Sequence, residues 1–238
     1  MSGSGTGAPV TEVTGGLTFL ALAQRLRQEA GISGSGPTTV VSQTGEMKRV
    51  VDWILTAYED IQTAHTSWRF LRSTFSFSTV DGQQSYTPAQ AGITDMGAWI
   101  TDTISLYSSA SDEQFLSYVP WDFFKAVYGI GTNRTVESRP NVVTVTPGNS
   151  LSLWQLPDAV YTCKGEYYQT ADTMAVDADT PVIPRRFQMA IVWKALTYYG
   201  AYAAADEKYL HGKNEYRRLM RLLELDQLED FTYGDPLA

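Results

Sequence analysis

The sequence predicts an α+β fold: a helical bundle of N-terminal and long C-terminal helices with a β-rich insertion in the middle. Three observations carry this expectation. Between Gly45 and Arg72 the residues Met47, Val50, Val51, Ile54, Leu55, Tyr58, Ile61 and Trp68 recur at three- and four-residue steps, which draws one apolar stripe on a helix. After Arg72 the period drops to about 2, the alternation of a strand with one face buried. From Pro184 the helical period returns through Phe187, Ile191, Tyr198, Tyr202, Tyr209, Tyr216, Leu219 and Leu223.

Taken in order, residues 1–16 are rich in Gly, Ser and Thr and read as a flexible N-terminal arm. Thr18 is placed to cap a first helix over 18–30, with Phe19, Leu22, Ala23 and Leu26 as its stripe and Gly31 as the residue that ends it. The long helix follows over 46–67 and ends in the cluster Trp68, Arg69, Phe70, Arg72. Residues 17–72 and 180–229 form the expected helical core, and 73–179 the β-rich insertion. Within the insertion, strands are expected at Phe75–Thr79, Gln84–Thr87, Trp99–Tyr107, Asn141–Thr146, Ser150–Leu153 and Val160–Gln169. A short helix, Trp121–Tyr128, opens after Pro120. That helix alone is too small to cover the strands. The C-terminal helical region is either one very long helix or a hairpin broken near Ala203–Glu207. Residues 230–238, with Gly234 and Pro236, read as an extended tail.

Composition limits the function. The 238 residues carry a net charge of −8, with 43% hydrophobic and 18% charged residues, as a globular chain does. An acidic balance disfavours binding nucleic acid through counterion release, yet suits a passage that DNA slides through. One cysteine, Cys163, forbids an internal disulfide and makes a cytosolic origin the default. No run of eighteen apolar residues is present, so no membrane span is expected, and the first residues lack the pattern of a secretory signal.

Signs of catalysis are poor. His65, His211 and Cys163 join no familiar constellation, and Gly129-Ile130-Gly131 fails the dinucleotide pattern because Arg134 stands where the third glycine belongs. Asp177 and Asp179 alternate as hard-cation ligands can, but a solvated loop is the favoured reading. Arg185/Arg186 and Arg217/Arg218/Arg221 could pair phosphate, but acidic neighbours such as Glu215 and Glu224 favour intersubunit or intrahelical ion pairs. No catalytic, cofactor-binding or metal-binding residue is assigned. The 14 tyrosines and 6 tryptophans instead suggest interfaces, where rigid aromatics give contact area at small entropic cost. Trp99, Tyr107, Trp121 and Trp154 are the candidates in the insertion. Phe231, Tyr233 and Leu237 are the candidates in the tail.

The two end segments carry a resemblance. LTFLALAQRLRQEAGISGSGPTTV followed by GEMKRVVDWILTAYEDIQTAHTSWRFLR resembles the start of tailed-bacteriophage head-to-tail adaptor proteins, also called head-completion or connector proteins. TPVIPRRFQMAIVWKALTYYGAYAAADEKYLHGKNEYRRLMRLL resembles their closing pattern. The resemblance implies a structural virion protein at the portal vertex, made in the host cytoplasm. It implies a homo-oligomeric ring, twelve-membered, that joins the portal protein to a tail or nozzle protein. Genomic DNA would pass through the lumen without specific binding, and no membrane or cofactor would be involved. On this reading Phe231, Tyr233 and Leu237 dock on the portal, while Trp99, Tyr107, Trp121 and Trp154 face the tail or a neighbouring subunit. The alternative from another class is a virion-associated cell-wall hydrolase, a glycosidase working through a carboxylate pair.

Overall fold

The computed structural model describes residues 16–34 and 36–228. Its helices are α1 (Phe19–Ala30), α2 (Gly45–Thr63), α3 (Trp121–Val127), α4 (Met189–Tyr202) and α5 (Asp206–Gln227). Its strands are β1 (Arg72–Ser78), β2 (Ser85–Tyr86), β3 (Met96–Tyr107), β4 (Gln114–Phe115), β5 (Ser117–Tyr118), β6 (Val142–Val145), β7 (Leu151–Trp154) and β8 (Thr162–Gln169). The chain divides into two compact units. One comprises the described residues up to Ile61 together with Thr173–Asp226, and the other comprises Gln62–Asp172 with Gln227 and Leu228.

In the first unit α1 begins as its sequence requires. Thr18 accepts a hydrogen bond from the Ala21 N–H at 3.2 Å, and Gly31 closes the helix in the left-handed region at φ 74°. Phe19, Leu22, Ala23 and Leu26 are buried, and α1 packs along α4. On α2 the stripe Val50, Ile54, Ala57, Tyr58 and Ile61 is buried. The Tyr58 hydroxyl accepts from the Val182 N–H at 3.0 Å. Trp53 sets its ring against Tyr199 and Tyr202 of α4, and the Arg49 guanidinium lies 4.4 Å from the Tyr202 ring centre.

The expectation of a helical bundle is corrected by this arrangement. Among the described residues the protein is α+β with five helices and two sheets, helices standing at both ends of that stretch, and these helices do not form a bundle. A bundle needs helices of similar length sharing one repeating seam. Here the end helices differ in length, α1 with 12 residues and α5 with 22. Helix α4 buries the consecutive positions Ala190, Ile191 and Val192, so it is covered on several sides instead of along one stripe. Loop residues Val40, Met174 and Ile183 occupy core positions that a bundle would give to helices. The C-terminal region is a hairpin: α4 stops at Tyr202, and Ala204 turns the chain at φ 50° before α5 begins at Asp206.

Helix α2 also ends sooner than its stripe suggested, at Thr63 instead of beyond Ser67. Threonine and serine, which stand at 63, 66 and 67, offer the backbone alternatives to helical hydrogen bonds. Trp68, read as the last rung of the stripe, is buried off the helix, stacked on Phe70 and met edge-on by His65.

The second unit holds two four-stranded sheets, ordered β1-β8-β3-β4 and β2-β7-β6-β5. Strand β8 is the centre of the first, antiparallel to β1 from Arg72↔Tyr168 to Ser78↔Thr162 and to β3 on its other side. A bulge in β3 between Ile100 and Ser105 faces Gly165, where a Cβ would meet the Phe75 ring at 3.0 Å. The two sheets cover each other, which the short helix alone could not do. Phe75, Trp99, Ile104, Leu106, Cys163 and Tyr167 from the first share a core with Tyr86, Val143, Leu151 and Leu153 from the second. Strands β2, β4 and β5 have two residues each, so three of the four sheet edges offer little backbone to a stray strand.

Candidate docking surfaces

Two of the four interface candidates meet at one place on the β-rich unit. Pro120 starts α3 at a position where a missing N–H costs nothing, and the helix is so short that its consecutive aromatics point different ways. Phe124 turns inward and is buried, while Phe123 stays 50% exposed. Trp121 stacks on Phe124 at 6.0 Å. Phe124 and Trp154 both contact the Tyr128 ring, at 5.6 and 4.2 Å. The Trp154 indole N–H donates to the Asn133 carbonyl at 2.9 Å, which fixes that ring in place. Trp121 and Trp154, both half-buried, thus belong to one rigid aromatic cluster although 33 positions separate them.

The other two lie elsewhere. Trp99 is 8% exposed and belongs to the core, with its indole N–H donating to the Asn149 carbonyl at 3.0 Å and its face met edge-on by Phe75. Tyr107 is half-buried at the end of β3, with the Lys164 ammonium 5.3 Å from its ring centre. Phe231, Tyr233 and Leu237 lie outside the described residues.

Sequence reasoning passed over Phe115, Phe123 and Ile130, exposed by 73, 50 and 60%. They are three further exposed apolar side chains of the same β-rich unit. A signal existed: the pair Phe123-Phe124 on a seven-residue helix cannot be buried on both sides at once.

Charged groups brace this unit. The Asp112 carboxylate accepts from the Ser108 hydroxyl at 2.6 Å and the Ser109 N–H at 2.8 Å, and the Arg139 guanidinium donates to it at 2.9 Å. The Ser108 hydroxyl first, then the Ser109 N–H, hold its pKa far below the ordinary carboxylate range. Glu113 is lowered as well, chiefly by the hydrogen bond from Lys164 and then by that from Ser105. Burial pushes the Cys163 thiol up to about 12, so it is a core residue and not a nucleophile.

The remaining candidates for chemistry have structural work. Asp177 accepts from the Thr39 hydroxyl at 3.0 Å and the Val40 N–H at 2.6 Å, and Asp179 accepts from the Ala175 and Val176 N–H groups. Their carboxylates tie loops together instead of converging on a cation. His211 sits edge-on to Trp193. Arg218 pairs with Glu215 at 2.7 Å, and Arg186 pairs with Asp226.

The chain matches the family model described as SU10 adaptor protein over residues 17–237. No curated protein matches it. The match spans both units and the aromatic cluster between its ends, and it agrees with the resemblance carried by the helical end segments. This chain therefore belongs to the SU10 adaptor protein family, a family of phage adaptors.

Proposed function

We propose that this protein is a ring-forming head-to-tail adaptor that joins the portal to the tail and surrounds the DNA exit channel. Family membership over residues 17–237 is the observation that carries the reading: it makes the chain a structural phage component that works by contact with other head and tail parts. The surface of the β-rich unit supports it. The aromatic cluster at Trp121 and Trp154, with the exposed Phe115, Phe123 and Ile130 on the same unit, supplies the apolar and aromatic side chains that protein interfaces use as anchors. In this reading that surface, with Tyr107, meets the tail protein or the neighbouring subunit, and Trp99 anchors the strand that carries Tyr107 from within the core. Phe231, Tyr233 and Leu237 dock on the portal. Twelve copies at −8 each would place roughly −96 charges around the passage, a field that keeps DNA from sticking.

Electron micrographs of the purified protein mixed with its portal test the reading. Closed rings seated on the portal are expected; monomers that never associate with it would overturn the proposal. Truncation after Glu229 should abolish capture by the portal while leaving circular dichroism unchanged. Turnover of purified peptidoglycan, lost on changing one carboxylate, would instead point to the hydrolase.

A further inference from the structure

Strand β1 is the fourth sheet edge, and it stands open. Its seven residues, Arg72–Ser78, pair one-to-one with β8 without a bulge, and no strand lies on their other side among the described residues. Two contacts fix which backbone groups face outward. The Thr79 N–H, one step past the strand, donates to the Tyr161 carbonyl at 2.8 Å. The Glu166 N–H, opposite Thr74, turns away to β3 and donates to the Thr103 hydroxyl at 3.0 Å. Bonding to one neighbour alternates along an antiparallel strand, so Ser73, Phe75 and Phe77 address β8 while Thr74, Ser76 and Ser78 aim N–H and C=O at the open side. Those three residues are exposed, and none of them bonds to anything on that side among the described residues. Such an edge is ordinarily blunted by proline, lysine, a bulge or extreme shortness. Strand β1 has none of these, and its single charge, Arg72, already pairs with Glu166.

We propose that β1 pairs antiparallel with β1 of a second copy of this chain across a two-fold axis at Phe75, which joins two sheets of order β1-β8-β3-β4 into one. Charge selects both the occupant and the register. Glu166 lies beside Thr74, and Lys164 lies beside Ser76. With Thr74 opposite the second copy's Ser76, all of Arg72–Ser78 pairs, and each row of side chains that crosses the seam there has Glu166 at one end and Lys164 at the other. Moving the register by two residues one way would align Glu166 with the second copy's Glu166, and moving it the other way would align Lys164 with its Lys164. Like charges in one row repel. Moving it by one residue would set the polar face of one strand beside the apolar face of the other. In the selected register the Thr74 and Ser76 hydroxyls meet across the seam, and Phe77 comes within reach of the second copy's Phe75 on the inner face, both favourable cross-strand pairs. The contact is isologous, each edge completing the other. The pairing goes beyond the ring reading and does not rest on it: it joins two chains with neither portal nor tail present.

The test is sedimentation of the full chain over a range of concentrations. The parent should sediment as a dimer that dissociates on dilution. Thr74→Pro removes an N–H from the open side and leaves the bonds to β8 in place, and Ser76→Lys puts a cation on the seam. Both should sediment as monomers with the parent's circular dichroism. Two cysteine pairs read the register. Thr74→Cys/Ser76→Cys places cysteines opposite each other, about 5.5 Å apart between Cα atoms, and should give a covalent dimer on mild oxidation. Ser76→Cys/Ser78→Cys places none opposite another and should not. The native Cys163 takes no part, because it is buried and its thiol is pushed up to about 12. A parent that stays monomeric at every concentration overturns the proposal, as does a dimer that persists in either Thr74→Pro or Ser76→Lys. Cross-linking of the second cysteine pair but not the first overturns it as well.

Discussion

Single residues show where the protein's stability is concentrated. Ile54 is fully buried in the middle of α2. Ile54→Asp would force an unpaired carboxyl into that core and should cost roughly 3 kcal/mol or more, read as a lowered urea midpoint. Asp112 couples stability to acidity. Its folded-state pKa is depressed, so its contribution is complete above the ordinary carboxylate value, about 4, and is lost as pH falls from there toward the folded value. Asp112→Asn should therefore lower the urea midpoint at pH 7 and flatten its fall on the acid side. Cys163 should resist thiol reagents until the protein is unfolded, since the thiol is both buried and held protonated.

Among the elements, the α4–α5 hairpin makes the sharpest demand on sequence. A Cβ on Gly200 would stand 2.7 Å from the Tyr209 nitrogen and 2.8 Å from its Cα. Alanine is the better helix former by about 1 kcal/mol, yet the approach of backbone to backbone decides the sign. Gly200→Ala should lower the melting temperature, by an amount matching ~1–3 kcal/mol of overpacking. Elements of this kind were partly legible in the sequence. The cap at Thr18, the left-handed Gly31 and the strand period after Arg72 are local, and local chemistry places them. The bundle was not to be had from periodicity, because a stripe says that a face is buried and not what buries it. Sheet order is likewise invisible: β8 lies between β1 and β3 through contacts far apart in sequence. For the docking surfaces, composition pointed to tryptophan, but only the fold sorts Trp99 into the core and joins Trp121 to Trp154 through Phe124 and Tyr128.

The whole molecule is acidic, and a gel shift with duplex DNA at about 0.15 M salt should show no retarded band. Replacing Trp121 and Trp154 by alanine together should leave particles that attach tails poorly, scored by counting tailed heads in micrographs. The two should act as one unit, since Phe124 and Tyr128 link their rings. At the mouth of the β-rich unit, the Gln62 side-chain amide donates to the Asp172 carbonyl at 2.9 Å and accepts from the Asp172 N–H at 2.8 Å. One side chain thereby clasps the two ends of an excursion 110 positions long. A segment whose ends are already neighbours can be cut out, transplanted or circularly permuted without stretching what it leaves behind. Residues 62–172 should fold when made alone, and a chain rejoined across Gln62 and Asp172 by a short glycine turn should keep its helices. The clasp makes the β-rich unit an exchangeable cassette, through which a lineage could acquire a new surface while its helical unit stays as it is.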